Sequence, residues 1–213
     1  GDPKLLEKLI MVIKKDAKIG AVAPKILFEK GYEFYKGRYA VADLGKVIWY
    51  GGGHFDYDNI ASVHRGIDQV DKGQYDVEEE VGFFSGACFL IKKEMLEKVG
   101  GFDGKFFLYF EDAHLSKKII DSGYKIFYTG GTFIYHKVSQ STGVGSALTD
   151  YYHTRNRLIF GMRVGKIRTK FALLREALWL FIFGRPAQRR GVLDFYLGVN
   201  GGRGDGVQDV EYP

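Results

Sequence analysis

Cysteine is almost absent from this sequence. Cys88 is alone among 213 residues, so no internal disulfide can form and nothing implies an oxidising compartment. No run reaches the roughly 18 apolar residues of a membrane-spanning helix, and no signal peptide opens the chain. The five histidines (His54, His64, His114, His136 and His153) make no H-x-x-H or H-E-x-x-H pattern, which argues against a zinc site. No G-x-G-x-x-G follows a first strand and no phosphate-binding P-loop is present; Gly51-Gly52-Gly53 reads as a turn. The first residue is Gly1 rather than methionine, from which a processed chain or a piece of a longer one is expected.

What is present is ordinary globular material, 46% hydrophobic and 27% charged, long enough to bury a real core. Its net charge of +5 is unevenly placed: residues 1–150 carry 20 Lys and Arg against 21 Asp and Glu, and residues 151–213 carry 11 against 5. Within 151–190, ten basic residues face Glu176 alone, a net +9. A concentrated basic segment fits either a polyanionic partner or a solvated helix face.

Asp2-Pro3 reads as a helix start, followed by Leu5, Leu6, Leu9, Ile10, Val12 and Ile13 at helical spacing. Ile19 to Phe28 is strand-like, although Pro24 argues against a central position. Val41 to Tyr50 predicts a strand or hairpin. Residues 54–80 are polar and without period, which predicts a long surface loop. Val81 to Ile91 reads as a buried strand, Lys92 to Val99 as a short helix, and Glu111 to Ser122 as a helix with Leu115, Ile119 and Ile120 inward. Two strands, Tyr124 to Tyr128 and Thr132 to His136, flank Gly130-Gly131, and the pattern from Ser146 onward is helical with breaks near Gly184-Arg185-Pro186 and Gly201-Gly202. Alternating strands and helices define an α/β layer fold.

Four groupings could carry chemistry. Glu111-Asp112 opens a helix behind Phe106, Phe107, Tyr109 and Phe110; the pair is either an acidic helix start or a general base in an aromatic-walled pocket, where a carboxylate's pKa rises. His136 ends a strand, as a plain polar terminus or as a metal or diphosphate contact. Ser85-Gly86-Ala87 is either a close-packed strand or backbone left bare for a substrate. Tyr151 to Arg157 is either a basic helix face or a set of arginines aimed at a diphosphate or anionic lipid.

Read in order, Gly82 to Ile91, Val99-Gly100-Gly101-Phe102-Asp103, Phe106 to Asp112, Gly123 to Ile126, Tyr135-His136, Tyr152 and Arg155-Asn156-Arg157 resemble glycosyltransferase family 2, the inverting GT-A enzymes, especially the rhamnosyltransferase-like and galactofuranosyltransferase-like branches. His64-Arg65-Gly66 to Gly73-Gln74-Tyr75-Asp76 resembles a loop of these enzymes. The resemblance implies a partial, Rossmann-like GT-A domain over 1–145 followed by a basic helical extension over 146–213. It implies Asp112 as general base, Glu111 beside it near the acceptor hydroxyls, and Ser85 and Gly86 along the acceptor and donor sugar. His136 is the implied metal ligand for Mg²⁺ or Mn²⁺, and Arg155 and Arg157 are expected to bind substrate.

The implied partners are a nucleotide-diphosphate sugar and a glycan or lipid-linked acceptor, in cell-envelope polysaccharide synthesis and without nucleic acid. The family's Asp-Leu-x-x-Arg helix continuation is here His114-Leu115-Ser116-Lys117-Lys118, a departure beside the base. Asp2-Pro3-Lys4-Leu5-Leu6 resembles the segment that follows the family's Asp-x-Asp metal motif, so the donor-binding half and the main metal carboxylates are expected to lie outside this chain, leaving it little activity alone. Phe171 to Phe183, apolar and flanked by bases, is either an ordinary core helix or an interfacial anchor on an anionic membrane. A cytoplasmic protein peripheral to the inner membrane face is the expected setting. The alternative is a non-catalytic membrane-surface or nucleic-acid-binding module using residues 151–190.

Overall fold

The computed structural model describes residues 1–138 and 146–202. The expected boundary at residue 145 lies outside the described residues. The chain forms two compact units, the first made of Gly1–Phe55, Ser62–Gly101 and Leu115–Val138, the second of Asp56–Ala61, Phe102–His114 and Ser139–Pro213.

The first unit is a mixed sheet with helices. Its elements are α1 (Leu5–Ile13), β1 (Ile19–Phe28), β2 (Ile48–Tyr50), β3 (Gly53–Asp56), β4 (Ala61–His64), β5 (Glu78–Val81), β6 (Leu90–Ile91), α2 (Lys93–Val99), α3 (Glu111–Asp121) and β7 (Lys125–His136). The tip of the β3–β4 hairpin and the first turn of α3 belong to the second unit. The main sheet runs β2-β1-β7-β5, with β6 also on β1. The β1–β7 pair is parallel, and β2, β6 and β5 join antiparallel. Every residue of β1 is buried, which is why it reads as one unbroken apolar run rather than an alternating one. Leu9, Val12 and Ile13 of α1 cluster with Ile19 and Val22. The helix begins at Leu5, two residues later than its Asp2-Pro3 start signal, because Asp2 Oδ1 accepts from Lys4 N at 2.9 Å and closes a turn first.

Several sequence expectations are corrected here. Pro24 does sit in a central strand. Pro24 faces Thr129 and the next residue, Lys25, faces Phe133, so Gly130, Gly131 and Thr132 bulge out of β7. The proline, which has no N–H for the ladder, thus stands where pairing is already interrupted. The two strands expected around Gly130-Gly131 are for the same reason one strand with a bulge. Residues 54–80 are not all loop, since β3, β4 and the start of β5 fall there. Their period was hidden by charge: β5 opens with Glu78-Glu79-Glu80, whose carboxylates pair with Lys15, Arg65 and Lys125, as suits a sheet edge. The Val81 to Ile91 strand shrinks to its two ends, β5 and β6, with a loop between. Val41–Asp43 is a single helical turn before β2, and Ile120 is exposed rather than inward.

Lys25 is 3% exposed in the middle of β1. It is tolerated because Asp71 at 2.8 Å and Asp76 pair with its ammonium; a buried charge without a partner would be costly. The bulge has its own steric logic. Gly130 N donates to Val77 O at 2.8 Å, and a Cβ at Gly130 would lie 2.0 Å from Tyr75 O and 2.7 Å from Asp76 Cα. These are backbone atoms that cannot swing aside. The Gly130→Ala variant is therefore expected to lose about 2–3 kcal/mol of stability, measured as a lowered thermal midpoint. An unchanged midpoint would show that the bulge relaxes freely.

The second unit holds α4 (Ala147–Val164), α5 (Ile167–Phe183) and α6 (Pro186–Tyr196). Ser146 caps α4, its Oγ accepting from Thr149 N at 3.2 Å, and Pro186 stands in the first turn of α6, where its missing N–H costs nothing. Tyr151 and Tyr152 of α4 and Ala187 of α6 share one buried cluster. Thr169, Leu173 and Ala177 are the buried stripe of α5, four residues apart as a helix face requires. Among the described residues, no helix is long and apolar enough to cross a membrane.

Candidate active site

The carboxylate pair opens α3 inside the second unit, and its approach is strained. Tyr109 and Phe110 adopt φ of +64° and +69°, the left-handed region that non-glycine residues rarely occupy. Such residues persist only where their surroundings over-determine them. Here Asn156 Nδ2 donates to Leu108 O at 2.6 Å and to Tyr109 O at 3.0 Å. Tyr109 Oη lies 3.1 Å from Thr149 Oγ1, and the Phe110 ring packs on His153 and Phe160. One segment further back, Arg155 donates to Lys105 O at 3.3 Å. The first turn then closes with His114 N donating to Phe110 O at 2.9 Å.

This launch sets the two acids in different surroundings. Asp112 Oδ1 accepts from Ala113 N at 2.8 Å, in the first helical turn where the backbone dipoles favour a negative charge. Glu111 Oε2 is buried with no hydrogen-bond partner among the described residues. Burial first, and the neighbouring Asp112 charge second, push the Glu111 carboxyl up to about 7. The unfolded carboxyl ionises near 4.5, so keeping Glu111 buried disfavours the folded state progressively as pH rises from there to about 7. The Glu111→Gln variant should therefore gain on the wild type by up to about 3 kcal/mol between about pH 5 and about pH 8. Denaturant midpoints of both proteins at the two pH values check this, and a difference that does not change with pH would refute it.

Arg155 is enclosed by protein, whereas Arg157 is partly exposed. Arg155 is 0% exposed. Its guanidinium reaches Lys105 O, the Tyr151 hydroxyl at 3.2 Å and Asn156 Oδ1 at 3.0 Å, and it lies over the Tyr151 and Tyr152 rings. Tyr151 in turn donates to Asp194 at 2.7 Å; burial first, and that acceptor second, push the phenol up to about 12. Arg157 pairs with Glu176 and donates to Asn59 O and Ile60 O. It helps line a cavity of about 450 Å³ with Asp58, Thr169, Leu173 and Trp179, and neither Glu111 nor Asp112 reaches that cavity.

Ser85, Gly86 and His136 belong to the first unit. Ser85 is buried on the loop between β5 and β6, its Oγ accepting from Ala87 N at 3.2 Å, and Gly86 is exposed at the turn. The motif is thus a tight turn rather than strand interior. His136 ends β7, its ring centroid 4.8 Å from that of Trp49, and burial lowers its pKa. Among the described residues no three His, Cys, Asp or Glu side chains group to hold a metal ion. These residues do not form a metal site by themselves. His64 stacks on Phe83, and burial pushes it down to about 4, so it is a neutral core ring at physiological pH. Asn156 has a positioning role that no local sequence signal marks. It stood inside the quoted Arg155-Asn156-Arg157 run, but only the fold shows its amide holding the backbone before the acids.

A mixed α/β sheet with C-terminal helices and an acid pair opening α3 is consistent with the resemblance to a sugar-transferring family. The family comparison agrees: residues 21–193 match the model of glycosyl transferase family group 2, and the chain belongs to that family. Its curated relatives include N-acetylglucosaminyl-diphospho-decaprenol L-rhamnosyltransferases from two strains of Mycobacterium tuberculosis, CDC 1551 / Oshkosh and ATCC 25618 / H37Rv. Each is 32% identical over 83 residues, a stretch spanning 39% of this chain and 27% of the relative. The chain is therefore a member of glycosyl transferase family group 2 with a distant similarity to mycobacterial rhamnosyltransferases.

Proposed function

We propose that this protein serves inverting sugar transfer from a nucleotide-diphosphate sugar, with Asp112 as the general base. The acceptor hydroxyl gives its proton to the Asp112 carboxylate as its oxygen bonds the anomeric carbon. The bond from that carbon to the diphosphate oxygen breaks on the opposite face, and the nucleoside diphosphate leaves with the electron pair. The observation that carries this reading is the strained Tyr109-Phe110 segment, which Asn156 pins and which sets an acid pair at a helix start. Strain of this kind is kept where it serves a site. Glu111, its carboxyl pushed up to about 7, is protonated in about half of the molecules at neutral pH and can then donate to an acceptor oxygen.

In this reading Ser85 and Gly86 flank the sugars, and Arg155 and Arg157 brace the acid-bearing segment and the β3–β4 tip. His136 would supply one nitrogen to a Mg²⁺ or Mn²⁺ ion, which would offset the charge of the leaving diphosphate. Similarity to the decaprenol-linked rhamnosyltransferases favours a nucleotide-diphosphate rhamnose and a lipid-diphosphate-linked sugar as the pair, at the cytoplasmic face of a membrane and in cell-envelope synthesis. The catalytic body over 1–145 and the extension over 146–213 are the corresponding division of labour. Incubation with radiolabelled nucleotide sugars and a synthetic lipid-diphosphate glycan tests the reading. Transfer with inversion at the anomeric carbon, read by NMR coupling, supports it; retention of configuration overturns it.

A further inference from the structure

The transferase reading leaves unexplained why α5 turns its most apolar side chains outward. Its inner stripe, Thr169, Leu173 and Ala177, is small. Its outer surface carries Ile167, Phe171, Leu178, Trp179, Ile182 and Phe183, with Phe171 66%, Trp179 58% and Phe183 66% exposed. A soluble helix shows the reverse arrangement, and a contiguous exposed apolar face of this kind marks an interaction surface. Two alternatives stood open for this helix, core or interface. The structure places its bulky residues outside the core.

Charge decides the occupant. Among the described residues, Arg168, Lys170 and Arg175 of α5 make no ion pair within the protein. The sole acid of the helix, Glu176, is already neutralised by Arg157. A face of aromatic and aliphatic side chains interleaved with uncompensated cations, on a helix of 17 residues that is not long and apolar enough to cross a bilayer, has the chemistry of an interfacial helix. An acidic protein partner would meet the cations but leave the Phe, Trp and Ile side chains against polar surface. An anionic bilayer meets both at once, with headgroups for the cations and the acyl boundary for the rings.

We propose that α5 docks this protein in plane on an anionic membrane, with Phe171, Leu178, Trp179 and Phe183 inserted below the headgroups and Arg168, Lys170 and Arg175 among them. The proposal deepens the transferase reading by naming the surface on which a lipid-linked acceptor is met; only that purpose, not the docking itself, rests on that reading.

Vesicle co-sedimentation of the whole chain tests it without any activity measurement, so its failure and the failure of the transferase reading are separate events. With mixed phosphatidylcholine and phosphatidylglycerol vesicles the protein pellets, and with phosphatidylcholine alone binding falls by about tenfold or more. The Trp179→Ser/Phe183→Ser variant, altered only at exposed positions, loses about tenfold or more in binding while keeping its circular dichroism and thermal midpoint. Arg168→Gln/Lys170→Gln/Arg175→Gln loses the preference for anionic lipid. Tryptophan emission shifts to the blue on vesicle binding, and the shift disappears in Trp179→Phe, where Trp49 is the remaining tryptophan. Equal binding to both vesicle types, binding to neither, or a dimer in solution that the Trp179→Ser/Phe183→Ser change dissolves would each overturn the proposal.

Discussion

Asp112→Asn is expected to lower the rate of sugar transfer by about 10²–10⁴-fold, the range that a positioned general base contributes, while donor affinity is unchanged. The substitution is nearly isosteric. Its side-chain oxygen can still accept from Ala113 N, as Asp112 Oδ1 does at 2.8 Å, so the helix start should survive and the loss should be chemical. What the amide cannot do is take a proton from an acceptor hydroxyl. Because that interaction is made in the transition state, kcat and kcat/KM should fall together. Single-turnover transfer and nucleotide-sugar binding by calorimetry separate the two quantities. Near-normal transfer by the variant would remove Asp112 from the mechanism and leave Glu111, its buried neighbour, as the acid to test.

The second large effect is on stability. Arg155→Ala should destabilise the protein by about 3–5 kcal/mol, as removal of one member of a buried charged network does. Arg155 is fully buried, and its loss leaves Lys105 O with Gly201 N alone and the Tyr151 hydroxyl with Asp194 alone among the partners described, and takes a donor from Asn156 Oδ1. A cavity would remain beneath the Tyr151 and Tyr152 rings. Arg155→Lys keeps the charge but not the planar fork that reaches three partners, so it too should be clearly less stable than wild type. Denaturant unfolding followed by near-ultraviolet circular dichroism reports the loss. A residue that serves only to contact a donor diphosphate would behave differently: Arg155→Lys would keep its unfolding midpoint and change only the KM for donor.

These two residues also show how far the sequence could be read. Asp112 was legible because a helix start has a local signature: two acids directly before a 3.6-residue apolar repeat. The role of Arg155 was not. An arginine in Tyr151-Tyr152-His153-Thr154-Arg155-Asn156-Arg157 has the composition of a solvent face, and no local rule distinguishes a guanidinium aimed at a diphosphate from one aimed at Lys105 O. The same limit explains β5. Three consecutive glutamates look like loop until Lys15, Arg65 and Lys125 arrive from distant parts of the chain to pair with them.

By itself the sequence determined the α/β class, the family, the short helices α1, α2 and α3, the acid pair at the start of α3 and the basic character of residues 151–190. All of these depend on interactions within a few residues or on order along the chain. Only the tertiary structure decided that β7 is one bulged strand, that Asn156 holds the backbone before Glu111, that Arg155 is interior, and that α5 shows its rings to the outside. Each of these turns on which distant atom occupies the space beside a side chain or a backbone amide. Periodicity shows that a helix has two faces; packing alone decides which of them is covered.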